Sequence, residues 1–339
     1  MRRAREIDAW APGRVNLIGD HTDYMNGLAM PIAIDLGTSV RGSSGGDTVD
    51  LTSAAMDSSV SIPIGLDDPT DVAPGWGRYV AGVVAQCRPS LGFVGRVDST
   101  LPPGSGLSSS AALEVAVALA LGADPDPVRL AALCQRAEQQ ATGVPCGIMD
   151  QLAITSGVRD HALLLDCATN DVTPVALPAE LHIVVAHSGV DRALVGSAYA
   201  DRRAQCEAAE ARIGPLRTAT VDDVTRIDDP ALRRRARHVV SEIRRVRDFA
   251  AALDRADLGL AGHLMSQSHA SLRDDFDVST PELDDLVTRL EATEGVTGAR
   301  LTGAGFGGCA VAIADRPVVL DDFGPQAWLV EASAAAGLR

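Results

Sequence analysis

The chain has 339 residues, of which 46% are hydrophobic and 22% charged, and its formal net charge is -15. That length fits one large globular domain or two of medium size, and such a charge repels nucleic acid and anionic membranes. All 30 basic side chains are arginine and no lysine occurs, which excludes a Schiff-base lysine and a lysine-bearing Walker phosphate loop; any nucleotide phosphate must be held by backbone N–H groups, hydroxyls, arginine and metal.

No stretch approaches the ~18–20 consecutive apolar residues of a membrane span. The basic start Met1-Arg2-Arg3-Ala4-Arg5 is followed by no apolar run and does not read as a secretory signal. Six scattered cysteines without paired spacing fit free thiols in a reducing cytoplasm better than disulfides or zinc.

In chain order, Val15–Ile18 reads as a short strand that ends in the polar cluster Gly19-Asp20-His21-Thr22-Asp23. Residues 76–84 look helical. The turn at 101–106 feeds a helix over 108–121 that is apolar almost all round, so it belongs in a core. Residues 161–166 and 182–186 are strand-like. Helical patterns cover 195–211, 230–253 and 281–294, the last with Thr280 as N-cap and Pro281 at its first position. The arginine run at 233–237 reads as a solvated helix face. Residues 299–302 and 309–314 are strands joined by a glycine-rich link, and 327–331 is a closing strand. This mixture is α+β, and the uncommitted stretch 177–180 marks a boundary between units 1–177 and 178–339.

Four segments carry chemistry. In Leu101-Pro102-Pro103-Gly104-Ser105-Gly106-Leu107-Ser108-Ser109-Ser110, glycines allow close backbone approach while hydroxyls gather at a helix start, whose unpaired N–H groups favour an anion. A flexible turn with an ordinary serine cap is the plainer alternative. Gly303-Ala304-Gly305-Phe306-Gly307-Gly308 suits close packing against a loop or ligand, or simply a tight strand connection. Arg14 at one end of the first strand and Asp20, His21 and Asp23 at the other form an acceptor-rich set that suits a polyhydroxylated ligand, or a polar turn. Asp150, alone in the neutral stretch Gly143-Val144-Pro145-Cys146-Gly147-Ile148-Met149-Asp150, is either an N-cap or a buried catalytic carboxylate.

Together these segments resemble the GHMP kinase superfamily and, within it, the galactokinase family. Ala11 to Tyr24 resembles the family signature, Pro103 to Ala112 the superfamily phosphate loop, and Leu301 to Cys309 its third motif. Cys146 to Gln151 and Ser266 to Phe276 also resemble family segments, in order along nearly the whole chain. The resemblance implies a two-domain α+β fold with the active site in the interdomain cleft, and transfer of the ATP γ-phosphate to the C1 hydroxyl of galactose. By motif position, Asp150 is the catalytic carboxylate and Arg14 its cationic neighbour. Asp20, His21, Asp23, Gly147 and Tyr199 contact the sugar. Gly104, Ser105, Gly106, Leu107, Ser108, Ser109 and Ser110 wrap the phosphates, with 303–308 buttressing that loop, and Ser110 and Glu138 are the Mg²⁺-side ligands. The implied partners are a small sugar and ATP, without nucleic acid or membrane, and a monomer is expected. Two departures stand out: Asp20, where the family usually has glutamate, and Asp191, where it usually has a basic residue. They leave room for a kinase of an arabinose-like sugar, a heptose or an N-acetylated hexosamine. A sensor that binds ATP and sugar without catalysis is a further alternative.

Overall fold

The computed structural model describes residues 6–102, 104–190 and 195–339. Asp191 and its neighbour Arg192 lie outside them. The first part of the chain runs β1 (Glu6–Ile18), β2 (Leu28–Ser44), β3 (Thr48–Ser53), β4 (Ser58–Pro63), α1 (Trp76–Cys87), β5 (Phe93–Ser99), α2 (Ser109–Ala120), α3 (Pro127–Thr142), α4 (Met149–Ser156), β6 (His161–Asp166) and β7 (Asp171–Ala176). It continues with β8 (His182–His187), α5 (Val195–Ile213), α6 (Val221–Val224), α7 (Pro230–Asp254), α8 (Leu258–Ser271), α9 (Pro281–Glu291), β9 (Val296–Leu301), β10 (Cys309–Ala314), β11 (Ala327–Val330) and β12 (Gly337–Leu338).

Two sheets organise these elements. The larger has the order β12-β1-β2-β5-β3-β4, with β6 also on β2 and β7 on β6. Only its β3–β5 pair is parallel. The smaller is antiparallel, in the order β11-β8-β10-β9. α2 is buried along Ala111–Ala120 and packs on β1 and β2, flanked by α1, α3 and α4. That is what an all-round apolar helix requires. α8 and α9 cover β9, α7 touches α5, α8, β1, β2 and β7, and α8 reaches both sheets through β9, β10 and β1.

Expected elements recur with small shifts: β6 and β10 match, and Thr280 caps α9 by accepting from the Leu283 N–H. β1 is far longer than the apolar tetrad Val15–Ile18. Pro12 and Gly13 read as breakers, but they fall beside a register shift between Pro12 and Arg14 where the β1–β2 ladder bulges. α8 carries two glycines and several polar residues, which hides it in the sequence. A Cβ at Gly262 would meet the Thr297 carbonyl at 2.1 Å, so tertiary packing of α8 on β9 selects the glycine against helix propensity. The arginine run on α7 is only partly solvated: Arg235 is buried, its Nε donating to Gln205 Oε1 at 2.8 Å.

Among the described residues no helix is long and apolar enough to cross a membrane, and none of the six cysteines forms a disulfide.

Candidate active site

The bulge in β1 turns Arg14 inward, and its backbone N–H donates to the Leu107 carbonyl at 3.2 Å. The guanidinium is buried and divides its donors. Nε donates to Asp150 Oδ1 at 2.7 Å and Nη2 to Asp150 Oδ2 at 2.8 Å, a fork on the carboxylate. Nη1 donates to the Gly106 carbonyl at 2.8 Å. One cation thereby fixes the catalytic candidate and the glycine loop together. Asp150 is the second residue of α4, and Ile148 holds the N-cap position without a side-chain bond. The N-cap alternative for Asp150 is therefore overturned.

At the start of α2, Ser108 occupies the N-cap but no side chain caps the helix. Its hydroxyl instead donates to Asp150 Oδ2 at 2.5 Å. The first N–H groups of α2 are left for another acceptor, at the positive end of the helix dipole. Gly104, Gly106, Ser108, Ser109 and Ser110 line a cavity of ≈ 550 Å³ whose other walls include Met56, Trp76, Tyr79, Val97 and Leu113. Ser105 turns away, its hydroxyl donating to the Pro102 carbonyl at 2.8 Å. Leu107 is buried in the core.

Glu138, on α3, meets this helix start: Ser110 Oγ donates to its Oε1 at 2.9 Å and Gln151 Nε2 to its Oε2 at 2.6 Å. Burial, then the charge of Asp150, pushes the Glu138 carboxyl up to about 7. A hydroxyl beside an under-compensated carboxylate suits a hard dication, which would relieve that cost. Among the described residues no group of three or more His, Cys, Asp or Glu could hold a metal alone, so water and a nucleotide would supply the remaining ligands.

A second cavity of ≈ 240 Å³ adjoins the first, and Arg14, Tyr79, Glu138 and Asp150 line both. Its walls include Asp20, His21, Asp23, Gly147, Tyr199, Gly303 and Ala304. Burial, and then the charge of Asp150, raises the Asp23 carboxyl to about 6. Gly147 is required beside it, because a Cβ there would lie 1.7 Å from Asp23 Oδ2. His21 is less available than the sequence implies. Burial pushes its pKa down to about 3, so the ring is neutral. Its Nε2 donates to the Ala304 carbonyl at 3.1 Å, which leaves Nδ1 to accept from the Tyr24 hydroxyl at 2.9 Å. Both ring nitrogens are occupied, and His21 presents mainly its ring, which lies tilted 4.6 Å from that of Phe276. Tyr199 is half-buried, 5.3 Å edge-on to Tyr24. Asp20 is buried against Arg300 and accepts from the Gly303 N–H at 3.0 Å.

The loop 303–308 was expected to brace 104–110. Among the described residues no hydrogen bond joins the two. The loop instead meets Asp20, His21, Val278 and Val190. Sequence reasoning also missed Trp76, Tyr79 and Gln151, which line the two cavities, and Arg300, Glu242 and His238 behind them. The buried trio are single polar residues in apolar or charged helical and strand patterns, with no local signal to separate them from solvated neighbours.

Comparison with known proteins decides the family. The family model described as galactokinase galactose-binding signature matches residues 4–43, GHMP kinases N terminal domain matches 78–158, and GHMP kinases C terminal matches 249–322. A galactokinase of Roseiflexus sp. is 43% identical over 91% of this chain and 83% of its own length. The chain belongs to the galactokinase family. A Homo sapiens galactokinase is 42% identical over the same shares. The structure of Lactococcus lactis galactokinase complexed with galactose matches this galactokinase-family fold with a TM-score of 0.87, at 31% identity over 98% of this chain and 95% of that one. Methanococcus jannaschii mevalonate kinase, at 18% identity, shares the fold alone, with a TM-score of 0.69 over 98% and 99%. The fold is therefore the two-domain α+β GHMP kinase fold, with the active site in the cleft, and the chain is a sugar kinase.

Proposed function

We propose that this kinase transfers the γ-phosphoryl group of ATP to the C1 hydroxyl of α-D-galactose, giving galactose 1-phosphate and ADP. The observation that carries the reading is Asp150, forked by Arg14, on the wall common to the two cavities. The acceptor-lined cavity suits a sugar, with Asp20, Asp23, Gly147 and Tyr199 around it and the His21 ring as part of its wall. The larger cavity suits ATP: apolar Trp76, Met56 and Val97 for the base, and Gly104, Gly106 and the N–H groups of Ser109 and Ser110 for the phosphates.

In this reading Asp150 receives the proton of the C1 hydroxyl, or orients that hydroxyl toward phosphorus. Arg14 holds the carboxylate and adds positive charge where negative charge develops. Ser110 and Glu138 would hold Mg²⁺, which supplies charge neutralisation on the phosphates when bound. The sugar cavity draws on both halves of the chain, whereas the larger cavity is lined from the first half alone, and positioning of the two ligands against Asp150 does most of the work. We place the division between the halves at 177/178, in the turn between β7 and β8, with β12 returning to the first sheet. Six cysteines without a disulfide and a strong negative charge support a cytoplasmic enzyme, which we take to act as a monomer.

The test is ATP consumption by purified protein against a panel of free sugars, with the phosphorylated carbon assigned by ³¹P and ¹³C NMR. Turnover with galactose and a C1 phosphate are expected. ADP release with no sugar in the panel, or with an arabinose-like sugar alone, would overturn the galactose assignment.

A further inference from the structure

Arg300, on β9, is the largest fully buried side chain of the described residues. A buried guanidinium needs a counter-charge and partners for its donors. It meets a single carboxylate: Nη2 donates to Asp20 Oδ2, while Nε and Nη1 have no partner among the described residues. The pair runs from the end of β1, at the sugar cavity, to the edge strand of the smaller sheet. The backbone around Asp20 is held separately by α7. The Gly19 N–H donates to Glu242 Oε1 at 3.0 Å, and His238 Nε2 donates to the Asp20 carbonyl at 3.1 Å. Arg300 therefore acts on the Asp20 carboxylate, not on the course of the loop. Stability does not account for the pair, since a buried ion pair with orphaned donors is commonly no better than an apolar pair of like volume.

We propose that Arg300 is a positioning residue for sugar selectivity: its guanidinium holds the Asp20 carboxylate at a fixed angle on the sugar cavity wall, as an acceptor for one sugar hydroxyl. The inference rests on the reading of that cavity as the sugar site. A charged carboxylate cannot donate, so a ligand lacking the facing hydroxyl leaves a buried anion short of a hydrogen bond, which is how a polar site rejects a deoxy analogue. Burial already raises the Asp20 carboxyl and the Arg300 charge is the largest influence opposing it, so without Arg300 the carboxylate loses its fixed angle and shifts further toward the protonated form, which can donate as well as accept, and the rejection fades.

The experiment is calorimetric binding of galactose and each monodeoxy-galactose to the wild type and to Arg300→Met, with a non-hydrolysable ATP analogue bound in parallel. In the wild type, one deoxy position should weaken binding by roughly 10- to 100-fold. In Arg300→Met, galactose should weaken by a similar factor and that one deoxy penalty should shrink to about threefold or less, with other positions and the ATP analogue unchanged. An unaltered deoxy pattern overturns the inference, and so does a fall of all penalties together, which marks collapse of the site. Should Arg300→Met not fold, Arg300→Met with Asp20→Asn removes both charges. It should lose the same single penalty, and its retention overturns the inference equally. Because binding is read without turnover, a wild type that shows the deoxy pattern but makes no galactose 1-phosphate overturns the kinase reading alone.

Discussion

Arg14 ties three parts of the site through one side chain: the Asp150 carboxylate, the Gly106 carbonyl and, by its own N–H, the Leu107 carbonyl. Asp150 also accepts from Ser108, so removing its carboxylate leaves both donors unanswered while the α2 start remains. Asp150→Ala should lower kcat by roughly 10²–10⁴, the usual worth of a positioned proton acceptor, and keep ATP affinity. Near-normal turnover in single-turnover kinetics would remove Asp150 from its role. Asp23 makes a pH prediction. Its carboxyl is raised to about 6 by burial and by the charges of Asp150 and Asp20, so it is a full acceptor only above that pH. In the free enzyme, kcat/KM for the sugar should therefore fall as pH drops below 6, whereas kcat/KM for ATP should already fall below about 7, where Glu138 takes up a proton. Asp23→Asn should lower the plateau and abolish the acidic limb. An unchanged limb in that variant would assign it elsewhere.

At the scale of elements, the catalytic cleft is built where helix starts meet strand ends. The α2 start was legible because glycine, hydroxyl and apolar periodicity coincide within 12 residues of sequence, and the β1 end because its acids cluster. α3 and α4 were not read as helices, although Glu138 and Asp150 stand on them. α4 is short, opens after a Gly/Pro stretch and has no capping side chain to announce it. The clamp by Arg300 was invisible for another reason. It joins residues 280 apart in sequence, and nothing local distinguishes an arginine that pairs inward from one that points to water. Gly147 shows the same limit in miniature: its need for no side chain comes from Asp23, brought beside it only by folding. Gly147→Ala would force at least a 1.7 Å contact with Asp23 Oδ2 to open, so sugar KM should rise by roughly tenfold or more, since such overpacking costs about 1–3 kcal/mol. ATP KM and melting temperature should change little. A raised ATP KM of equal size would mean that α4 itself had moved.

For the whole molecule, the buried titratable groups oppose one another. His21 and His238 are held neutral, with folded pKa values of about 3 and about 4 against 6.5 unfolded. Each contributes stability that is complete above pH 6.5 and is lost as pH falls toward the folded value, roughly 2 kcal/mol apiece by pH 5. Asp23 and Glu138 run the other way. Their folded values of about 6 and about 7 exceed 3.8 and 4.5 unfolded, so their cost is greatest near neutrality and eases as they take up protons on acidification. Glu242, lowered to about 2 from 4.5, adds stability that is lost only below pH 4.5. Between pH 7 and 5 the histidine loss and the carboxyl relief are similar in size, so the melting temperature of the free protein should stay nearly level, then drop steeply below pH 4.5. The bound protein is different, because sugar and metal-nucleotide draw on Asp23 and Glu138 in their charged forms and the relief is denied. The rise in melting temperature on adding galactose with Mg²⁺ and an ATP analogue should therefore shrink steadily from pH 7 to 5. A ligand-induced rise that is constant over this range, beside a free protein that softens, would reverse the assignment of Asp23 and Glu138 to the ligands.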